Sequence, residues 1–185
     1  MIVVLRALMA VTAAGLAAAA TADSIDINLN SDAVEVRYAT NFRSAEFTVG
    51  GLYNGDEDAW LAYAGLLAIG ERSTKDSRSE AGLGGRIYGA SVDNQDLLAL
   101  ALGGQFRWFP GNGPFGIGAY GYIAPDVVAG IDAKLFWEAG ARLEYEVVKN
   151  TAGVYIGYRR VRAEFKNDIN RDLDKGGHIG LHISF

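Results

Sequence analysis

The sequence contains no cysteine. The chain therefore has no disulfide staple, and closing a sheet on itself is another route to robustness. Beyond its first 22 residues it also lacks any run of about 18 apolar residues, which excludes a membrane-spanning helix. The longest apolar stretch there, residues 59–69, falls well short of one. Charge of one sign is in small excess. The formal net charge of −5 over 185 residues argues against a nucleic-acid partner and decides little else.

What is present begins with a leader. Residues 1–20 are apolar except for Arg6, and Ala20-Thr21-Ala22 forms a small-x-small cleavage pattern. Residues 1–22 read as a signal peptide, leaving one domain over residues 23–185.

Residues 132–147 set the pattern for that domain. Asp132, Lys134, Glu138, Arg142, Glu144 and Glu146 fall on even positions. The odd ones hold Ala133, Leu135, Trp137, Ala139, Ala141, Leu143, Tyr145 and Val147. Successive side chains of an extended chain point to opposite faces, so this is a ribbon with one oily and one charged side. A helix would scatter the same charges over about two-thirds of its circumference. The ribbon is longer than the roughly 5–6 residues of an ordinary strand, and long enough for the roughly 9–11 that cross a bilayer.

The same alternation recurs along the chain: Ile25, Ile27 and Leu29; Val34, Val36 and Tyr38; Phe47 and Val49; Leu98, Leu100 and Leu102; and Ile179, Leu181, Ile183 and Phe185. Residues 59–70 are apolar on both parities, and a buried helix competes with a strand there. Turn chemistry at 30–32, 40–44, 54–58, 110–114 and 148–151 separates the segments. Residues 71–79 read as a charged connection and 166–176 as the longest polar loop. In residues 152–165 the oily parity shifts from Val154, Ile156 and Tyr158 to Val161, Ala163 and Phe165, which a β-bulge at Arg159-Arg160 would explain.

The expected fold is an all-β, antiparallel, up-and-down transmembrane β-barrel of about 10 strands, with 8 as the alternative count. An even number places both termini on one side. Tyr38, Tyr53, Trp60, Trp108, Phe109, Trp137, Tyr145, Tyr158 and Phe185 suit aromatic girdles at strand ends. The competing architecture is a soluble sandwich or barrel with those rings in its core.

An alternating last strand that ends in Phe185 is similar to the terminal signature of Gram-negative outer-membrane barrels, read by the barrel insertion machinery through Ile179, Leu181, Ile183 and Phe185. More specifically, residues 24–38 (SIDINLNSDAVEVRY), 58–71 (DAWLAYAGLLAIGE), 84–88 (GGRIY) and 99–109 (ALALGGQFRWF) resemble the YfaZ family of small outer-membrane proteins. The resemblance implies location and fold, with outer-membrane lipid and lipopolysaccharide as surroundings. It transfers no catalytic residue and no cofactor.

The inward column expected from parity includes Glu35, Arg37, Arg86, Arg107, Lys134, Glu138, Arg142, Glu144 and Arg159. Mixed acids and bases read as a charge-plugged lumen, because charges withdrawn from water need partners. The expected role is then structural or surface-interacting, with a narrow porin-like channel for ions or small solutes as the alternative. His178, His182 and Ser184 share a face, and a lipid A modifying hydrolase using His182 is the remaining enzymatic alternative to a non-enzyme. Asp168, Asn170, Asp172 and Asp174 resemble the start of a calcium loop. Leu173 stands where that loop needs Gly, so only weak divalent-cation binding is expected there. Gly116-Ile117-Gly118-Ala119-Tyr120-Gly121 fits a dinucleotide fingerprint in letters alone, since a turn precedes it and Pro125 follows.

Overall fold

Alternating segments become strands throughout the computed structural model, which describes residues 23–92, 95–126, 129–131, 133–165 and 170–185. The expected leader lies outside the described residues, as do Asp132 and Asp168. The strands are β1 (Asp23–Leu29), β2 (Ala33–Phe42), β3 (Ala45–Asn54), β4 (Ala59–Ser73), β5 (Ser77–Val92) and β6 (Gln95–Pro110). They continue as β7 (Phe115–Pro125), β8 (Ala129–Ile131), β9 (Ala133–Val148), β10 (Ala152–Phe165) and β11 (Asn170–Ser184).

Every pairing is antiparallel. The strands run in the order β5-β4-β3-β2-β1-β11-β10-β9-β7-β6, and β5 also pairs with β6, so the sheet closes. The short β8 continues the stave of β7 along the upper part of β6, pairing Ala129 with Ala99 and Ile131 with Leu97. The result is a ten-stave barrel with no helix among the described residues.

The first described residue and the C-terminus meet at one end, where Asp23 N–H donates to the Phe185 carbonyl at 3.0 Å and Phe185 N–H returns a bond to Asp23 at 2.8 Å. That end also carries the tight turns. Arg43, Asn112 and Asn150 take positive φ there (57°, 50° and 60°), beside Gly111 at 63°. Asn and Gly tolerate this left-handed conformation most readily. The β4–β5, β6–β7 and β9–β10 hairpins are tied together: Asn112 Nδ2 donates to the Thr74 carbonyl at 2.7 Å, and Arg78 Nη1 to Asn150 Oδ1 at 2.6 Å.

The oily parity points outward. Leu143, Ile156 and Ile179 are register partners across β9, β10 and β11 and are 59%, 59% and 63% exposed. Leu102, Leu83, Ile123 and Val147 are exposed in the same way, with Trp60, Tyr53, Trp108, Tyr145, Tyr158 and Phe185 among them. Glu138, Glu144 and Arg159, by contrast, are buried.

Four expectations need correction. Residues 71–79 are not a long connection. Glu71 pairs with Glu80 and Ser73 with Arg78, leaving a three-residue turn closed by Thr74 N–H donating to Ser77 O at 2.8 Å. Strand β11 already starts at Asn170, so most of the expected polar loop is wall. Phe109 is no girdle residue. It is 2% exposed and lies inside, 4.2 Å from the Arg78 guanidinium over its ring.

Nor does parity slip in β10: Tyr155, Arg159, Val161, Ala163 and Phe165 all face inward. The irregularity lies on its neighbour, where Val161 pairs with Asp174 and Arg162 with Asp172, leaving Leu173 extra. What changes along β10 is the chemistry of its two faces.

An arginine at the lipid-facing centre of such a wall costs about 2–4 kcal/mol. Ile156→Arg is expected to lose that much stability in lipid vesicles, measured by reversible urea unfolding.

Candidate functional site: the barrel interior

The interior is stratified. At the end away from the termini, inward positions are apolar: Leu61, Val92, Leu97, Phe136, Phe165 and Leu173 are at most 3% exposed and form one cluster. Their residue types explain why β4 looked oily on both parities. Trp60, Ala62, Ala64 and Leu66 face out while Ala59, Leu61, Tyr63 and Leu67 face this inner layer.

Below it lies a ring of tyrosines and charges. Arg159, 1% exposed, reaches across the β1–β11 seam. Its guanidinium donates to Glu35, from Nη1 to Asn28 Oδ1 at 3.0 Å and from Nε to Asp174 Oδ2 at 2.8 Å. Glu35 also accepts from Tyr63 Oη and Asn28 Nδ2, both at 2.8 Å. Arg86 lies between the rings of Tyr122 and Tyr63, 4.0 and 4.8 Å from their centroids, with Glu138 Oε2 at 3.8 Å. Tyr88 Oη donates to the same Glu138 oxygen at 2.7 Å.

One level nearer the termini, Asp26 collects Arg37 Nη2 at 3.2 Å, Arg142 Nη1 at 3.0 Å and the Tyr155 hydroxyl. Arg142 and Arg107 both hold Glu144, at 2.8 and 2.7 Å. The tyrosines fit because glycines stand opposite them. Tyr120 lies over Gly140, where a Cβ would meet the ring at 2.6 Å.

Free space shrinks along the same axis. A vestibule of about 370 Å³ opens at the turn end, lined by Arg78, Arg107, Phe109, Glu144, Glu146 and His182 among others. It leads to a cavity of about 90 Å³ beside Arg37, Gln105 and Arg142. Deeper still, a space of about 20 Å³ remains between Glu35, Arg86, Glu138 and Tyr155. That last volume is of the order that holds a single water, roughly 10–15 Å³ or more.

The sequence model of the YfaZ precursor family matches residues 3–185. The chain belongs to the YfaZ family. No curated protein matches it. Among solved structures it is similar to the crystal structure of Neisserial surface protein A (NspA), at 13% identity and a TM-score of 0.36, over 89% of this chain and 94% of that one.

In this YfaZ chain, Glu35, Arg37, Arg86, Arg107, Glu138, Arg142, Glu144 and Arg159 all face the interior and contact one another directly or through shared partners. Lys134 does not join them. It has inward parity but is exposed, one pleat beyond Phe136 at the rim. Ile179, Leu181, Ile183 and Phe185 all face outward.

Three members of the network escaped sequence reading. Asp26, Asn28 and Asp174 are at most 5% exposed, and only closure of the barrel shows their partners. Asp174 belonged to the expected acidic loop. Instead it turns inward to Arg159, while Asp172 pairs outside with Arg160 at 3.1 Å, so these two acids point apart. The described residues hold no group of three metal-ligating side chains.

Removing one partner of a buried, hydrogen-bonded ion pair leaves the other charge uncompensated, at a cost of about 3–5 kcal/mol. Arg159→Ala strands Glu35 and Asp174 together and is expected to lose at least that much, read as a lower urea midpoint.

Proposed function

We propose that this protein is an integral barrel of a Gram-negative outer membrane whose lumen is sealed by its own side chains, with a structural or surface-contact role. The location is supported by the exterior, because contiguous exposed Leu, Ile, Val and aromatic side chains around an entire wall need a lipid surrounding. It is supported as well by family membership and by a leader-like residue 1–22 segment. Lipid, lipopolysaccharide and the insertion machinery that reads Ile179, Leu181, Ile183 and Phe185 are its proposed partners.

The observation that carries the sealed lumen is the succession of layers. A space of about 20 Å³ among paired charges is followed by buried Phe136, Phe165 and Leu173, so water and ions meet first a neutralised network and then apolar side chains. An ion crossing that apolar layer would shed its hydration with no charge to replace it, which is prohibitive. Planar-bilayer recording with purified protein tests the reading. The wild-type barrel is expected to insert without steady current. Reproducible single-channel openings would overturn the sealed lumen and favour the narrow-channel alternative.

A further inference from the structure

The seam between the first and last strands carries two successive inward pairs, Ser24 with Ser184 and Asp26 with His182. His182 and Ser184 line both the vestibule that opens at the turn end and the cavity beneath, while Ser24 lines only that cavity and Asp26 only the small space deeper still. Ser184 Oγ is 3.0 Å from His182 Nε2. On the other side of the ring, His182 Nδ1 is buried without a hydrogen-bond partner and faces Asp26 Oδ2 at 3.7 Å. A hydroxyl, an imidazole and a carboxylate thus follow one another in line, with the hydroxyl nearest to open space. A resting triad is often looser than the working one and tightens when the imidazole takes up a proton.

We propose that Ser184, His182 and Asp26 form a nucleophile, base and positioning acid that hydrolyse small acyl esters entering the vestibule from the turn end. His182 Nε2 removes the Ser184 hydroxyl proton as Oγ bonds to the ester carbonyl carbon, and the carbonyl electron pair moves onto its oxygen. When the pair returns, the bond to the alcohol oxygen breaks and the alcohol leaves with the proton from Nε2. Water from the vestibule then attacks the acyl-serine with the same proton relay, which releases the carboxylic acid and restores Ser184. Ester and water become acid and alcohol, with no other reactant.

Arg107, Arg142, Gln105 and Asn41 line the cavity beneath together with His182 and Ser184 and are the nearest source of donors for the oxyanion in this scheme. Arg107 and Arg142 already hold Glu144, however, and Gln105 already donates to Glu46. Asp26 is already held by Arg37 and Arg142, which fixes its carboxylate but leaves it less charge to share with an imidazolium. Slow turnover is therefore expected, and a covalent probe is a better reporter than steady-state rate.

The test is to treat the detergent-folded full barrel with a fluorophosphonate and map the adduct by mass spectrometry, with heat-modifiable electrophoretic mobility as the check on folding. Labelling at Ser184 is expected, absent in Ser184→Ala and slowed about 100-fold or more in His182→Gln, the typical worth of a general base. Asp26→Asn, in its folded fraction, is expected to be labelled only at alkaline pH. No adduct at Ser184, equal labelling of Ser184→Ala, or His182→Gln reacting like wild type would each overturn the proposal. An unchanged pH profile in Asp26→Asn would remove Asp26 from it.

Discussion

With oily side chains all round its exterior, this wall cannot leave a sheet edge unpaired, because an amide facing hydrocarbon has no water to turn to. Closure of β1 on β11 is therefore the constraint from which the rest follows. It joins the first and last described strands, and it also assembles the interior. Arg159 and Glu35 are 124 residues apart, and Tyr155 and Asp26 are 129 apart. These partners meet only across the finished seam. A one-residue slip of either strand would turn its charges toward lipid and its oily side chains into the lumen, so the buried pairs and the exterior enforce the same register.

Within the barrel, two ways of filling a narrow lumen are stacked on one axis. Charged residues need several partners each, and the ring around Arg159, Glu35 and Asp174 supplies them with Asn28 and Tyr63. Such a network specifies its partners more than it stabilises, since desolvation offsets much of the attraction between the charges. The Phe136, Phe165 and Leu173 layer needs no such matching and contributes as an ordinary apolar core does. Tyrosine suits the junction because its ring packs upward and its hydroxyl reaches the carboxylates below, as Tyr88 does between Phe136, at 4.6 Å, and Glu138.

Period-two alternation was enough to show the staves and which side chains share a face, while the choice of the oily face as the outer one rested on the aromatic-ended last strand and the leader-like first residues. Together these placed Glu35, Arg86, Glu138 and Arg159 on the inner face. Parity tells which side a residue takes, however, and not how deep along the axis it lies. For that reason Lys134 looked equivalent to Glu138 although one is at a wet rim and the other at 3% exposure. Asp26 was hidden for a different reason. Its role comes from Arg37, Arg142, Tyr155 and His182, contributed by four strands, and no local spacing announces such a meeting. Polarity misled at both hairpin ends, where residues 71–79 and 166–176 suggested loops although residues 71–73, 77–79 and 170–176 lie on strands that outrun the oily band.

The change of parity read in β10 has the same origin. Up to Tyr158 the strand shows Val154, Ile156 and Tyr158 to the outside and Tyr155 and Arg159 to the inside. Beyond it, Arg160, Arg162 and Glu164 are outside while Val161, Ala163 and Phe165 are buried. The first half is the arrangement of a wall in lipid, and the second is that of a wall in water. The neighbouring strand inverts at the same level, with Asp172 and Lys175 outside and Leu173 within. Trp137 marks the crossing, its ring 5.6 Å from the Arg160 guanidinium, an aromatic side chain suited to an interface between oil and water. On this side the barrel wall therefore continues past the apolar band as a water-facing rim. The apolar layer inside that rim is held in place by the same hydrophobic effect that operates in soluble proteins, and the lipid-embedded part below it is left to charges that must pair.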